Sequence, residues 1–289
     1  LNNISNFYNS ILVAMASTER IFEIMDTNPD ITDADTAIEM PEIVGNVEFR
    51  NVTFSYDEKK TESENVSFTV EARETIALVG ATGAGKSTII NLVSRFYDVT
   101  DGAVLIDGYD VRDVKLQSLR SQMGVMLQDS FIFSGTIMDN IRYGRLDATD
   151  EEVIEAAKAV HAHDFIMDME RGYNTEVRER GSRLSVGEKQ LISFARTLLA
   201  DPKILILDEA TSSIDTNTEI LIQKALDTLL EGRTSFVIAH RLSTIRKADR
   251  IMVVGDGNIL ESGDHDKLIE EEGIYHELFK AQYRFLQTV

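Results

Sequence analysis

The sequence predicts an α/β fold in which a largely parallel β-sheet is covered by helices on both faces. Short segments rich in Val, Ile, Phe and Thr recur along the chain, and helical patterns separate many of them. Strands that alternate with helices are typical of a parallel sheet, because each crossover helix packs back onto the sheet. A glycine-rich segment also lies between one predicted strand and the helix that follows it, as in phosphate-binding loops.

The predicted elements follow in chain order. The predicted strands are 43–50, 52–56, 65–70, 75–79, 103–106, 123–127, 203–207, 234–239 and 250–254. A helix is predicted from Gly80 to about Tyr97. The stretch 136–172 interrupts the alternation and is predicted to be a mostly helical insertion.

The first 41 residues differ in character from the rest. Apolar residues recur at helical spacing over residues 4–25, which predicts an amphipathic helix that Pro29 ends. Residues 27–41 are acidic, contain two of the three prolines and are predicted to be a linker. The helix either packs onto the following domain or continues from a membrane domain, and its pattern alone favours packing. Leu1 is an unusual first residue, so we expect the chain to be a fragment.

Composition narrows the classes of function. The 289 residues include 29 basic and 49 acidic side chains, for a formal charge of -20, which argues against a general nucleic-acid binder. The chain has no cysteine, so disulfides and thiolate metal sites are excluded, and a reducing compartment fits. The apolar run 11–16 is far shorter than the roughly 20 residues of a membrane-spanning helix.

A phosphate-binding loop is predicted at 80–87, because its glycines and the Lys-Ser pair have the P-loop spacing between a strand and a helix. The glycines allow backbone N–H groups to surround the phosphates, and the helix N-terminus adds its positive end. We expect Lys86 to reach the β- and γ-phosphates and the Ser87 hydroxyl to bind Mg²⁺. The predicted nucleotide-binding residues here are Gly80, Thr82, Gly83, Ala84, Gly85, Lys86, Ser87 and Thr88.

Two acidic residues end the apolar run 203–207, which predicts a buried parallel strand. Its carboxyl end should lie at the edge of the sheet where ligands bind. There Asp208 would bind Mg²⁺ directly or through water, and Glu209 would act as a general base that polarises the attacking water. A simple pair of helix-capping acids is the alternative, which the upstream phosphate loop disfavours.

His240 and Gln128 each follow a predicted strand. His240 would lie at the same edge as Asp208 and contact the γ-phosphate, although a single histidine is more often structural. Gln128 would bind Mg²⁺ or position water; an exposed polar residue in a turn is the alternative.

Taken with the segment Leu-Ser-Val-Gly-Glu-Lys-Gln at 184–190, these motifs resemble the nucleotide-binding domain of ABC transporters. The phosphate loop, Gln128, the acidic pair and His240 occur in the family's order, and the resemblance covers about residue 40 to the C-terminus. It implies a P-loop NTPase (RecA-like) core in a domain spanning 42–289, with an N-terminal antiparallel β subdomain and a helical subdomain at about 130–200. Tyr56 lies where the family has an aromatic residue that stacks on adenine.

The resemblance also implies a partner and a shared site. Two such domains pair head to tail around two ATP molecules, and each site joins the phosphate loop of one to the signature of the other. Ser185, Gly187 and Glu188 would then contact nucleotide, because a predicted helix over 188–200 would direct its N-terminus at a γ-phosphate. Asp215 would lie at the dimer interface. The second domain would be an identical chain or a paralogue.

Two features resemble exporters in particular. Residues 16–25 resemble the junction that follows a membrane domain, and 179–181 resemble a segment that senses that domain. They imply an ATPase motor at the cytoplasmic face of the cell membrane, with residues 1–26 continuing from a transmembrane domain absent from this chain. Val186 and Glu188 depart from the commonest signature, which has glycine and glutamine at these positions.

Other functions explain less of the sequence. A soluble ABC ATPase acting on nucleic acid or ribosomes conflicts with the acidic balance and the exporter-like N-terminus. A switch that does not hydrolyse nucleotide conflicts with the presence of Glu209 and His240. A small-molecule kinase would leave the signature unexplained.

Overall fold

The structure is a computed structural model that describes residues 2–56, 63–126, 131–178, 181, 184–208, 215–239 and 242–283. It divides into two compact units, residues 1–32 and residues 33–289. The strands are β1 Val47–Phe54, β2 Ser63–Val70, β3 Thr75–Val79, β4 Asp101–Ile106, β5 Tyr109–Asp110, β6 Met123–Met126, β7 Gly135–Thr136, β8 Glu176–Val177, β9 Ile204–Asp208, β10 Thr234–Ile238, β11 Arg250–Gly255 and β12 Asn258–Gly263. The α-helices are α1 Asn2–Met25, α2 Lys86–Val93, α3 Leu116–Arg120, α4 Ile137–Arg142, α5 Asp150–Ala159, α6 His163–Met167, α7 Val186–Ala200, α8 Thr216–Leu230, α9 Leu242–Lys247, α10 His265–Glu270 and α11 Ile274–Tyr283.

The first unit is built on α1, and the predicted N-terminal helix is confirmed. Three hydroxyl groups form hydrogen bonds within this helix: those of Ser10, Ser17 and Thr18 each donate to the carbonyl oxygen four residues earlier. Across the described ranges, no helix combines the length and apolarity needed to cross a membrane.

A six-stranded sheet in the order β12-β11-β3-β10-β9-β6 forms the centre of the second unit. The pairs between β11, β3, β10, β9 and β6 are parallel, and β12 adds an antiparallel edge strand that the sequence pattern did not predict. The predicted α/β fold with a largely parallel sheet is therefore confirmed.

Apolar side chains on alternating residues cover both faces of this sheet. In β9, Leu205 and Leu207 belong to one buried cluster, whereas Ile204 and Ile206 belong to another. The first cluster also contains residues of α5, α7 and α8, and the second contains residues of α2 and β1. Because both faces are buried, the strands are continuously apolar, which is why the sequence identified them well.

A second sheet, in the order β2-β1-β4-β5, is antiparallel and confirms the implied β subdomain. The prediction of separate strands at 43–50 and 52–56 is wrong, because β1 is continuous from Val47 to Phe54. Asn51 has a positive φ of 48°, and the register with β4 shifts between Arg50 and Thr53. This bulge, rather than a loop, interrupts the alternation of apolar residues.

The stretch predicted as a helical insertion contains α4, α5 and α6, as expected. Capping boxes begin two of these helices: Thr136 pairs with Asp139 at α4, and Thr149 pairs with Glu152 at α5. The short strands β7 and β8 pair beside them. The helices α4 and α5 pack against α7, so the insertion and the segment carrying the signature share one core.

The predicted helix from Gly80 to Tyr97 is shorter than expected. It begins at Lys86, because Gly80, Gly83 and Gly85 have positive φ values of 149°, 81° and 107°, which no helix accommodates. It ends at Val93, and Arg95, with φ 50°, closes the turn that follows.

A buried threonine ties the segment preceding β1 to the central sheet. The Thr234 Oγ1 donates to the Gly45 carbonyl oxygen at 2.8 Å and accepts from the Arg73 N–H at 2.8 Å. Thr234 is completely buried. A Cβ on Gly45 would lie 2.3 Å from that hydroxyl oxygen, so glycine is required for the close approach.

We predict that Thr234→Val lowers the free energy of unfolding by about 1–3 kcal/mol, because it keeps the side-chain shape while leaving the Arg73 N–H and the Gly45 carbonyl without their partner. Urea denaturation measures this. Thr69→Val, at an exposed position on β2, is the control and should change stability by less than about 0.5 kcal/mol. Equal effects from the two substitutions would contradict the structural role of Thr234.

Candidate functional site

The turn between β3 and α2 has the geometry of a phosphate-binding loop. Its glycines are required by backbone conformation and by space: a Cβ on Gly80 would lie 2.2 Å from the Val254 carbonyl oxygen, and one on Gly85 would lie 3.1 Å from the Gly257 Cα. Gly85 is the N-cap of α2 and has no side chain, so no side chain caps the first turn of that helix. The helix therefore begins with backbone N–H groups that can donate hydrogen bonds to an anion.

Lys86 lies within this loop. Its Nζ donates to the carbonyl oxygens of Gly80 and Ala81 at 2.8 and 2.9 Å. Burial lowers the pKa of the Lys86 ammonium, and the charge of the nearby Asp208 carboxylate opposes that shift. The Asp208 carboxylate therefore acts electrostatically on Lys86, whose ammonium group bonds the loop carbonyls.

Asp208 is the last residue of β9, at the carboxyl edge of the parallel sheet. It is in register with Ile238 of β10, and Ile238 is in register with Leu78 of β3. Met126, at the end of β6, is in register with Leu207. The strands that lead toward the phosphate loop and the acidic pair therefore end at one edge, where ligands bind in parallel sheets.

Three of the predicted catalytic residues lie outside the described residues. Glu209 directly follows β9, Gln128 follows β6 by two residues, and His240 follows β10 by two residues. The strands that precede them end at the same edge, but the roles of these side chains stay predictions. The exporter-like residues Glu179 and Arg180 also lie outside the described part.

The residues predicted to bind Mg²⁺ have suitable chemistry. Ser87 is exposed in the first turn of α2, and Asp208 is partly buried at the end of β9. A hydroxyl and a carboxylate are the hard oxygen ligands that Mg²⁺ prefers. In the described ranges no three His, Cys, Asp or Glu side chains cluster as they would around a metal held by protein alone. This donor set fits an ion that takes its remaining ligands from phosphate and water.

The signature segment begins α7. The predicted helix start at 188 is wrong, because α7 starts at Val186 and Gly187 lies buried in its first turn. The reason is a capping box: the Ser185 N–H donates to Glu188 Oε2 at 2.7 Å, and the Glu188 N–H donates to Ser185 Oγ at 3.3 Å. Val186 is exposed there, so its side chain does not disturb the core.

Asp215 caps α8. Its carboxylate accepts from the N–H groups of Asn217 and Thr218 at 3.1 and 3.0 Å. The pKa of Asp215 is lowered most by a hydrogen bond from the Thr218 side chain, and next by one from the Thr218 backbone. Its predicted place at a dimer interface is not tested by a single chain.

Tyr56 follows the end of β1 and lies against α2. Its ring contacts Phe54 and Tyr97 edge to face, with centroids 4.7 and 4.9 Å away. Its hydroxyl donates to Thr88 Oγ1 at 3.3 Å and accepts from Asn91 Nδ2 at 3.1 Å. The structure therefore brings Tyr56 beside the phosphate-loop helix, and its stacking on adenine stays a prediction.

The sequence analysis did not identify Asn91 and Tyr97 as residues that contact Tyr56. The available signal was helical periodicity, since Asn91 lies three residues after Thr88 and so shares its face of α2. Nothing in the local pattern indicated that Tyr56, 35 residues away in the chain, would contact that face.

Comparison with known proteins matches residues 63–212 to the family described as "ABC transporter". The chain is 57% identical over 283 residues to the uncharacterized ABC transporter ATP-binding protein YknV of Bacillus subtilis, covering 98% of this chain and 47% of that protein. It is 48% identical to an ATP-dependent lipid A-core flippase of Syntrophus aciditrophicus, covering 98% of this chain and 47% of the flippase. The chain thus spans less than half the length of these relatives.

A solved structure is also similar. It is described as a bacterial Atm1-family ABC exporter with ATP bound, and it matches with a TM-score of 0.86 and 42% identity over 95% of this chain and 48% of the exporter chain. The structural match and the sequence match therefore indicate the same family, that of ABC transporters.

The capping box at Ser185 leads to a prediction about stability. Glu188→Ala should lower the free energy of unfolding by about 1 kcal/mol, because the Ser185 N–H loses its acceptor. Glu188→Gln keeps an acceptor oxygen at the same place and should stay close to the wild type in urea denaturation. If Gln destabilised as much as Ala, the carboxylate charge at the helix N-terminus would matter instead of the hydrogen bond.

Proposed function

The chain belongs to the ABC transporter family, and we propose that it is the ATP-hydrolysing motor of an exporter. The observation that carries the proposal is the loop between β3 and α2, which holds the Lys86 ammonium group at the same carboxyl edge of the sheet where β9 ends in Asp208. The backbone N–H groups at the start of α2, which no side chain caps, can donate hydrogen bonds to the phosphates of a nucleotide, and Lys86 adds a positive charge beside them.

The proposed reaction is in-line attack of water on the γ-phosphorus. The bond between that phosphorus and the bridging oxygen breaks, leaving ADP and phosphate. Lys86 would exchange its bonds to the loop carbonyls for phosphate oxygens, Glu209 would orient the water and accept its proton, and His240 would contact the γ-phosphate. Ser87, Asp208 and Gln128 would hold Mg²⁺, which when bound neutralises charge on the phosphates.

A second domain would complete each site. We propose that the N-terminus of α7, with Ser185 and Gly187, faces the γ-phosphate bound by the partner chain. Support comes from the exposed Val186 at this helix end and from the similarity to exporters. ATP would then close the dimer, and hydrolysis would reopen it. The partner is an identical chain or a paralogue.

Transport itself requires a membrane part that the described residues do not contain. We propose that α1 continues from such a domain and that the chain works at the cytoplasmic face of the membrane. The relatives named as a lipid A-core flippase and as a fatty acid ABC transporter ATP-binding/permease protein favour an amphiphilic cargo. A nucleotide switch without hydrolysis explains the same loop but not Glu209.

We predict that Glu209→Gln keeps ATP binding, lowers turnover by at least about 100-fold and traps a dimer, because ATP stays intact between two chains. Light scattering with Mg²⁺ and ATP, together with phosphate release, measures both effects. Glu170→Gln is the control, because Glu170 is exposed and is not among the predicted site residues; this variant should hydrolyse ATP like the wild type. Normal turnover in the Glu209 variant would exclude it as the base.

Tyr56→Ala should weaken ATP binding by roughly tenfold, since stacking of a base on an aromatic ring contributes about 1–3 kcal/mol. Turnover at saturating ATP should change little, because the chemistry takes place at the phosphates. Calorimetry and steady-state kinetics separate the two quantities. Unchanged affinity would remove Tyr56 from the site.

A further inference from the structure

The base half and the phosphate half of the proposed nucleotide site come from different sheets. Tyr56 follows β1 in the antiparallel sheet, whereas α2 starts from the phosphate loop after β3 in the central sheet. The two halves must be held at one separation if a single ATP molecule is to engage both. The contacts between Tyr56 and α2 therefore bear on nucleotide affinity.

The backbone alone does not fix the Tyr56 ring. The residue lies beyond the last residue of β1, and 46% of its surface is exposed. Two residues earlier, Phe54 is only 2% exposed and packs in the same apolar cluster as Ile89 and Ile90 of α2. The end of the strand is thus anchored to the helix, while the ring of Tyr56 extends past that anchor.

Hydrogen bonds at the Tyr56 hydroxyl add a directional restraint to the edge-to-face packing of its ring on Phe54 and Tyr97. Asn91 Nδ2 donates to this hydroxyl at 3.1 Å, and the hydroxyl donates to Thr88 Oγ1 at 3.3 Å. Thr88 is buried and follows the phosphate-loop residues directly. The same helix that begins at the phosphates therefore holds the far end of the tyrosine ring.

From this geometry we propose that Asn91 is a positioning residue for the nucleobase. Its amide holds the Tyr56 hydroxyl, so the ring is presented to adenine at a set distance from the start of α2. Because the ring is oriented before ATP arrives, less conformational freedom is lost on binding. The inference rests on the proposed function and adds a residue that acts through Tyr56 rather than on the nucleotide.

The test compares two ligands that share phosphates but differ in the base. Calorimetry on the full chain with Mg²⁺ would measure binding of ATP and of inorganic tripolyphosphate. For Asn91→Ala, we expect ATP affinity to fall by about three- to tenfold, the range for one lost hydrogen bond. Tyr56→Phe loses the bonds to both Asn91 and Thr88, so ATP affinity should fall by at least as much. Tripolyphosphate affinity should stay within about twofold, and kcat at saturating ATP should be unchanged while KM rises.

The double variant Asn91→Ala with Tyr56→Phe supplies a second readout. If Asn91 acts only through the Tyr56 hydroxyl, the double variant should bind ATP as weakly as Tyr56→Phe alone, not with the product of the two losses. Tyr109→Phe removes the hydroxyl from a similarly exposed tyrosine on β5 and should leave ATP affinity unchanged. Melting temperatures verify that each variant is folded.

Distinct results overturn distinct proposals. Wild-type affinity for ATP in Asn91→Ala, or losses that multiply in the double variant, would overturn the positioning role and leave the proposed function intact. An equal loss of ATP and tripolyphosphate would also overturn it, because Asn91 would then act on the phosphate loop itself. If the wild type bound neither ligand, the proposed function would fail, and the role of Asn91 with it.

Discussion

The central strands β3, β10 and β9 are hydrogen-bonded in parallel and buried on both faces, and the candidate site depends on this arrangement. Parallel pairing requires that their carboxyl ends reach the same edge of the sheet. The turn into α2 and Asp208 therefore lie at one edge with only β10 between their strands, although they are far apart in the chain. Burial of both faces makes the sheet rigid, which keeps the loop and the carboxylate in fixed positions for chemistry on a phosphate.

An acidic chain can bind a polyanion because the binding groups act locally. The formal charge is -20, which by itself would repel ATP at long range. Against this, the start of α2 presents backbone N–H groups, and Lys86 adds a cation whose ordinary charge is favoured by Asp208. Such interactions act within a few ångströms, where they outweigh the screened field of distant carboxylates.

Coupling between the two sheets is the second requirement of the site. Phe54 of β1 packs in one cluster with α2, and Thr234 of β10 holds the segment before β1 through Gly45. The antiparallel sheet is therefore joined to the central sheet by apolar packing near α2 and by hydrogen bonds near Gly45. Tyr56 extends from this joint toward the phosphate-loop helix and bonds it through Thr88 and Asn91.

The phosphate loop and the central strands could be predicted from the sequence, because each depends on the residues of one short segment. The glycines at 80, 83 and 85 are required by positive φ, and β9 is apolar throughout because both of its faces are covered. The start of α7 at Val186 is also encoded locally, in the capping box between Ser185 and Glu188, so the sequence itself contradicts a start at 188. In contrast, the bulge at Asn51 and the bonds from Tyr56 to Asn91 depend on strands and helices brought together only by folding. Residues that meet across sheets leave no periodic pattern in the chain, so only the tertiary structure could decide those contacts.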